Sequence, residues 1–148
     1  MNLITFLLIP LTVGAVSAFF SGSMSLSGLT MPSFSPPAIV FPIVWTFLYL
    51  LMGVSSWLIW RSQKKGSGKA LRIYGAQLAV NFFWSILFFR FSLYFVSFLW
   101  LLLLIALIVL MIYHFFAISH KAAYLQLPYL FWCLFAVWLN LSIWLLNR

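Results

Sequence analysis

The chain has 148 residues, of which 66% are hydrophobic, 21% are aromatic and only 5% are charged. A soluble domain normally carries about a quarter of charged residues, so this composition excludes an ordinary water-soluble domain and predicts an integral membrane protein. The eight Lys and Arg residues are accompanied by no Asp or Glu, which excludes paired-carboxylate hydrolysis, carboxylate cages for hard metals and carboxylate-based proton relays.

Apolar stretches long enough to cross a bilayer as helices follow one another along the chain. The first has no basic residue before it, which favours a retained helix over a cleaved signal peptide. A connection rich in Ser and Pro leads to the second helix, and short polar breaks separate the others. The sequence therefore predicts an all-α membrane protein, a single domain over residues 1–148, with five transmembrane helices at about residues 3–21, 38–60, 70–89, 93–118 and 121–146.

Basic residues are concentrated in one break, since five of the eight lie within residues 61–72. With five spans, this loop lies on the same side as the N-terminus, and the connection containing Pro36 and Pro37 lies on the other. Cytoplasmic loops carry an excess of Lys and Arg. We therefore expect a multi-pass protein of the cell membrane with its N-terminus and the 61–72 loop in the cytoplasm and the Pro36-Pro37 loop outside.

Three helices carry polar and aromatic residues at intervals of three or four, which places each set on one helix face. These stripes consist of Trp45, Tyr49, Gly53, Ser56 and Trp60 in the second helix, Gln77, Asn81, Trp84 and Phe88 in the third, and Tyr129, Trp132, Ala136 and Asn140 in the fifth. The fourth helix shows no such stripe and is expected to be a lipid-facing wall. The stripes can converge beneath the Ser/Pro connection, where an aromatic cavity with a few amides would suit a flat, largely apolar ligand.

Other interpretations of the same residues stay open at this stage. Tryptophans near helix ends are often interfacial anchors, and Asn or Gln in membrane helices often hydrogen-bond between helices. Arg90 suits either an anchor or a partner for a ligand carboxylate. The single Cys133 and the absence of a second ligand near His114 give no metal site and no required cofactor.

Four motifs resemble a known family. They are Pro32-Ser33-Phe34-Ser35-Pro36-Pro37, Phe41-Pro42-Ile43-Val44-Trp45-Thr46-Phe47-Leu48-Tyr49, Gln77-Leu78-Ala79-Val80-Asn81-Phe82-Phe83-Trp84-Ser85, and Leu127-Pro128-Tyr129-Leu130-Phe131-Trp132 followed by Phe135-Ala136 and Leu139-Asn140. In this order and spacing the chain resembles the TspO/MBR family of tryptophan-rich sensory proteins and translocator proteins. Phe34 stands where the family motif usually has tryptophan, and Leu141 stands where its sterol-recognition pattern needs tyrosine.

The resemblance implies a five-helix fold, a homodimer, and binding of porphyrins such as protoporphyrin IX and heme. By motif, the ligand-binding residues would be Trp45, Tyr49, Asn81, Trp84, Trp132, Ala136 and Leu139, to which the stripe on the fifth helix adds Asn140. Pro32, Ser33, Phe34, Pro36 and Pro37 would form the loop over the pocket. The leading hypothesis is a tetrapyrrole sensor or translocator. One alternative is an enzyme that degrades porphyrin with light and oxygen through Trp45 and Trp132. The other is a structural membrane interaction protein, and none of the three involves nucleic acid.

Overall fold

The computed structural model describes residues 2–22, 28–33 and 35–148, and these residues contain helices and no strand. The helices are α1 (Leu3–Ser21), α2 (Val40–Ser62), α3 (Ser67–Ser85), α4 (Tyr94–Ile118), α5 (His120–Leu125) and α6 (Leu127–Asn147). A π-helical turn, Ile86–Arg90, continues α3 directly. The described part contains five helical stretches long and apolar enough to span a membrane, with α5 and α6 together forming the fifth. The predicted five-helix membrane bundle is confirmed.

The fifth stretch is not one continuous helix, contrary to the sequence prediction. It is interrupted at Gln126, which separates α5 from α6. Pro128 explains the interruption, because proline has no N–H to donate to the carbonyl of Tyr124 and its ring collides with that carbonyl in a regular helix. The second helix also begins slightly later than expected, at Val40, whose N–H donates to the carbonyl oxygen of Pro37 over 3.0 Å.

One face of α4 is buried in the bundle, so the expectation that this helix only forms a lipid-facing wall is wrong. Its buried residues recur every three or four positions: Ser97, Leu101, Leu104, Ile108, Met111, Phe115 and Ile118. This face packs against α3, α5 and α6. The opposite face is equally apolar because it meets lipid, so hydropathy alone does not mark which side is buried.

α1 and α2 pack closely through two glycines. A Cβ atom at Gly14 would overlap the ring of Tyr49, and a Cβ atom at Gly53 would lie 2.7 Å from the carbonyl oxygen of Phe6. Glycine at both positions lets the two backbones approach, as small residues do in membrane helices. By contrast, the backbones of α2 and α6 are not closely packed on each other. The space between α6 and the α1–α2 pair holds a cavity lined mostly by apolar side chains.

Candidate functional site

A cavity of about 360 Å³ lies between α1, α2, α6 and the end of α3 with its π turn. The cavity is lined by Leu11, Gly14, Ala15, Ser17, Ala18, Phe41, Pro42, Trp45, Thr46, Tyr49, Trp84, Ser85, Phe88, Phe89, Trp132, Ala136, Leu139, Asn140 and Ile143. Its volume falls in the range of small-molecule sites, which are mostly apolar with a few polar groups.

Trp45 lies at the centre of the aromatic lining. Its ring centroid is 5.6 Å from that of Tyr49, 6.4 Å from Trp84 and 6.1 Å from Tyr129. Trp84 in turn stacks on Phe88 at 5.4 Å. These contacts join α2, α3 and α6 through rings, at separations typical of favourable aromatic pairs, and they present flat surfaces to the cavity.

Trp132 forms the opposite wall from α6. Its ring meets the edge of Phe41 at 5.8 Å, which links α6 to the first turn of α2. Ala136 and Leu139 follow one and two turns later on the same face of α6. The small side chain of Ala136 leaves room between the two tryptophan-bearing walls.

Asn140 fixes the orientation of the Trp84 wall. Its side-chain oxygen accepts from the indole Nε1 of Trp84 over 3.2 Å and from the hydroxyl of Ser97 over 3.0 Å. Its amide nitrogen donates to the carbonyl oxygen of Tyr94 over 2.7 Å. Since Asn140 is only 1% exposed, these bonds replace water, and they tie α3, α4 and α6 together beside the cavity.

A chain of buried polar side chains, here called the polar chain, leads away from Tyr49. The Tyr49 hydroxyl donates to the side-chain oxygen of Asn81 over 3.4 Å, and the Asn81 amide donates to the Tyr129 hydroxyl over 2.9 Å. The Tyr129 hydroxyl then donates to the side-chain oxygen of Gln77 over 2.7 Å. Buried polar groups must be paired to avoid a desolvation cost. The polar chain pairs side chains of three helices and leaves the buried amide nitrogen of Gln77 without a partner.

Comparison of the amino-acid sequence with known proteins identifies a family. The TspO/MBR family model matches residues 6–145, which is almost the whole chain and includes every helix that lines the cavity. The chain belongs to the TspO/MBR family. It is a multi-pass membrane protein, and its family membership supports a receptor-like or transporter-like role.

Curated relatives agree with this assignment over most of their length. The chain is 34% identical to the tryptophan-rich protein TspO of Archaeoglobus fulgidus, over 99% of this chain and 97% of that protein. It is 36% identical to the tryptophan-rich sensory protein of Cereibacter sphaeroides, over 80% of this chain and 74% of that protein. It is 33% identical to the human translocator protein, over 89% of this chain and 80% of that protein.

Seven of the eight side chains expected in the TspO/MBR pocket line the cavity: Trp45, Tyr49, Trp84, Trp132, Ala136, Leu139 and Asn140. The eighth, Asn81, is 2% exposed and lies one helical turn before Trp84. It reaches the cavity only through its bond to Tyr49, so its place is in the polar chain rather than in the lining.

The connection expected over the pocket lies between α1 and α2. Phe34 falls outside the described residues, and the described members Pro32, Ser33, Pro36 and Pro37 are not among the lining residues. This connection is held to the end of α6, because Thr30 N–H donates to the side-chain oxygen of Asn147 over 2.8 Å. The Asn147 amide also donates to the Thr30 carbonyl over 2.9 Å.

Sequence reasoning missed the contribution of α1. Most of the α1 residues that line the cavity are small: Gly14, Ala15, Ser17 and Ala18. Gly14 and Ala18 lie four residues apart, a spacing typical of close helix packing in membranes, and Gly14 packs on Tyr49. Nothing in that pattern distinguishes a packing face from a cavity wall, because small side chains serve both.

The described residues that line the cavity include no charged side chain. The guanidinium of Arg90 donates instead to the carbonyl oxygen of Phe20 over 3.3 Å. The hydroxyls of Ser17 and Thr46 donate to backbone carbonyls of Phe82 and Pro42. Among the described lining residues, the indole N–H groups of Trp45 and Trp132 and the hydroxyl of Ser85 make no hydrogen bond, so they can donate to an acceptor on a ligand.

Proposed function

We propose that this protein binds porphyrins, such as protoporphyrin IX and heme, and similar flat apolar ligands in the aromatic cavity, and acts as a tetrapyrrole sensor or translocator. The observation that carries the proposal is the facing arrangement of Trp45, Trp84 and Trp132 around one space. A conjugated macrocycle offers a large π surface for offset stacking against such rings.

The polarity of the lining supports the same ligand class. No charged side chain among the described lining residues would be stripped of water by an apolar ring system, and Asn140 already uses its oxygen and one amide N–H within the bundle. The indole N–H groups of Trp45 and Trp132 can donate to ligand oxygens. A ligand would therefore be held mostly by stacking and oriented by one or two hydrogen bonds, the usual division in such sites.

The distribution of charge supports an orientation in the cell membrane. Lys64 Nζ donates to the carbonyl oxygen of Ile118 over 2.8 Å, so the 61–72 loop and the start of α5 share one end of the bundle. By the positive-inside rule this end, with the N-terminus, faces the cytoplasm. The Pro36-Pro37 connection and the cavity beneath it then lie toward the outside.

A homodimer is part of the proposal. Gly75 and Ala79, one turn apart on α3, are both exposed, and a Cβ atom at Gly75 would meet no other atom within 4 Å. Two small residues one turn apart allow helices to approach closely in lipid. We place the contact between two copies on this face of α3.

A titration of purified protein with protoporphyrin IX tests the proposal. Tryptophan fluorescence in detergent should be quenched saturably, and Trp45→Phe and Trp132→Phe should each weaken the binding because they remove an indole N–H and part of a ring surface. Trp57→Phe is the matched control, since Trp57 lies beside Arg61 and away from the cavity. Quenching that never saturates in any of the forms would contradict the proposal and favour a structural membrane protein.

A second candidate function is the degradation of porphyrin by light and oxygen. It is favoured by the ring contacts of Trp45 with Trp84, Tyr49 and Tyr129, which are oxidisable side chains. In this reaction dioxygen is the oxidant, the macrocycle is oxidised, and Trp45 and Trp132 serve as transient electron donors that return to their starting state. The Soret band of bound porphyrin should then fade under illumination in air, and should persist in Trp45→Phe and Trp132→Phe.

A further inference from the structure

A second, polar depression lies at the end of the bundle that carries the basic loop. It has a volume of about 450 Å³ and is bordered by the end of α2, the end of α4 and the start of α5. Its polar lining is formed by Arg61, Ser62, Lys64, Ser119 and His120. Two of these side chains, Arg61 and Lys64, are basic, so the depression is electropositive.

The positive charge of this depression has no counterpart in the protein. The sequence contains eight Lys and Arg residues but no Asp or Glu, so no side-chain carboxylate is available to pair with Arg61 or Lys64. Two like charges lining one depression repel each other. An anion bound between them would remove this repulsion, and it must come from outside the chain.

Both cations are held in place with donors to spare. The guanidinium of Arg61 lies 5.0 Å from the ring centroid of Trp57, a cation–π contact that leaves its N–H edge unused. Lys64 Nζ donates to the carbonyl of Ile118 over 2.8 Å, and an ammonium group has two further N–H donors. Both side chains are exposed, and these two contacts position their unused donors at the depression.

We propose that this depression binds a phosphate group, as carried by the headgroup of an anionic phospholipid or by a free phosphate ester. Arginine matches the planar arrangement of phosphate oxygens, and lysine adds a compact charge. The hydroxyl of Ser119 accepts from the Ala122 N–H and keeps its own O–H as a neutral donor at the edge, whereas the Ser62 hydroxyl already donates to the Ile59 carbonyl.

The residues around the depression favour a phospholipid, rather than a free phosphate ester, as the carrier of the phosphate group. The ring of His120 stacks on Phe116 at 4.1 Å, and Phe116 contacts Tyr124 at 6.1 Å. Phe116 is 45% exposed and Tyr124 is 57% exposed. An exposed aromatic surface thus continues from the depression onto the apolar sides of α4 and α5, where acyl chains of a lipid would lie while its phosphate contacts Arg61 and Lys64.

Native mass spectrometry of protein released from nanodiscs tests this assignment. Nanodiscs contain phosphatidylglycerol and phosphatidylcholine with identical acyl chains, and the lipid retained by wild type is compared with that retained by Arg61→Gln/Lys64→Gln. The matched control is Lys65→Gln/Lys69→Gln, which removes the same charge from exposed positions of the same basic segment that do not line the depression. A separate arm titrates inorganic phosphate into lipid-free protein and follows it by phosphorus NMR.

Wild type and the control should retain phosphatidylglycerol preferentially, and Arg61→Gln/Lys64→Gln should lose that preference by about tenfold or more. Equal loss in the control, or no preference in wild type, would overturn the proposal because it would indicate bulk charge alone. Phosphate binding that depends on Arg61 and Lys64 without lipid preference would assign the site to free phosphate. Lys64 also bonds to the carbonyl of Ile118, so its replacement could disturb the fold. Arg61→Gln alone should therefore reduce the preference for phosphatidylglycerol while its circular dichroism spectrum stays unchanged. A wild-type preference for phosphatidylglycerol in Arg61→Gln would also overturn the proposal.

Discussion

The indole N–H of Trp84 donates to the side-chain oxygen of Asn140 over 3.2 Å, and both side chains line the same cavity. Trp84 comes from α3 and Asn140 from α6, so one hydrogen bond fixes both the distance between two walls and the rotation of an aromatic ring. Because Asn140 also binds Ser97 and the Tyr94 carbonyl, the cavity wall is supported from behind by α4.

Replacing Asn140 tests this support. Asn140→Leu removes three hydrogen bonds and leaves the indole N–H of Trp84 without its acceptor, and we expect a loss of stability of about 1–3 kcal/mol. The midpoint of thermal unfolding in detergent measures it, and Ser142→Ala on the same helix is the control. An unfolding midpoint equal to that of wild type would mean that Asn140 contributes nothing to the packing of α3, α4 and α6.

The polar chain makes a graded prediction about its two tyrosines. Tyr129 accepts from Asn81 and donates to Gln77, whereas Tyr49 makes a single longer bond of 3.4 Å to Asn81. Tyr129→Phe should therefore destabilise the protein by about 1–2 kcal/mol and Tyr49→Phe by less than about 1 kcal/mol. Thermal unfolding of both variants under the same conditions shows which is less stable. A larger loss of stability in Tyr49→Phe than in Tyr129→Phe would contradict the prediction.

The close approach of α1 and α2 predicts a steric effect at Gly53. A Cβ atom there would lie 2.7 Å from the Phe6 carbonyl oxygen and 2.8 Å from the Cα atom of Leu7, both backbone atoms that cannot rotate away. Gly53→Ala should destabilise the protein by about 1–3 kcal/mol. Gly68→Ala is the matched control, since a Cβ atom at Gly68 meets nothing within 4 Å. Equal unfolding midpoints for the two variants would contradict the packing described for Gly53.

The proposed dimer predicts which positions can be crosslinked. Gly75→Cys on the exposed face of α3 should form an intermolecular disulfide under mild oxidation in membranes. Tyr113→Cys, at a 71% exposed position on α4, and the unsubstituted chain with its buried Cys133 serve as controls. Non-reducing electrophoresis separates the products, and comparable crosslinking at Gly75 and Tyr113 would count against a contact through α3.

Much of the fold and of the cavity could be predicted because polar and aromatic residues are rare enough in these helices to mark a face. The stripes on the second, third and fifth predicted helices identified Trp45, Trp84, Trp132 and Asn140 in this way, and the structure brings these four side chains together around one cavity.

The contribution of α4 could not be predicted in the same way. It is the most apolar of the five spans, and a helix that is apolar on every side gives no periodic signal. Ser97 is the one polar residue on its buried face, and its bond to Asn140 depends on the relative rotation of α4 and α6, which only the packed structure defines. The break at Gln126, by contrast, could have been predicted from Pro128, because proline interrupts a regular helix.

The most direct test of the account fills the cavity without changing its polar groups. Ala136 is buried and lines the cavity, so Ala136→Phe should lower the affinity for protoporphyrin IX by about tenfold or more, because the added ring occupies ligand space. Ala106→Phe places the same ring on the exposed face of α4 and should leave the affinity unchanged. Fluorescence titrations under the same conditions give the dissociation constants of protoporphyrin IX for wild type and both variants. A selective loss in Ala136→Phe is the predicted result, and equal affinities in wild type and both variants would contradict the cavity as the ligand site.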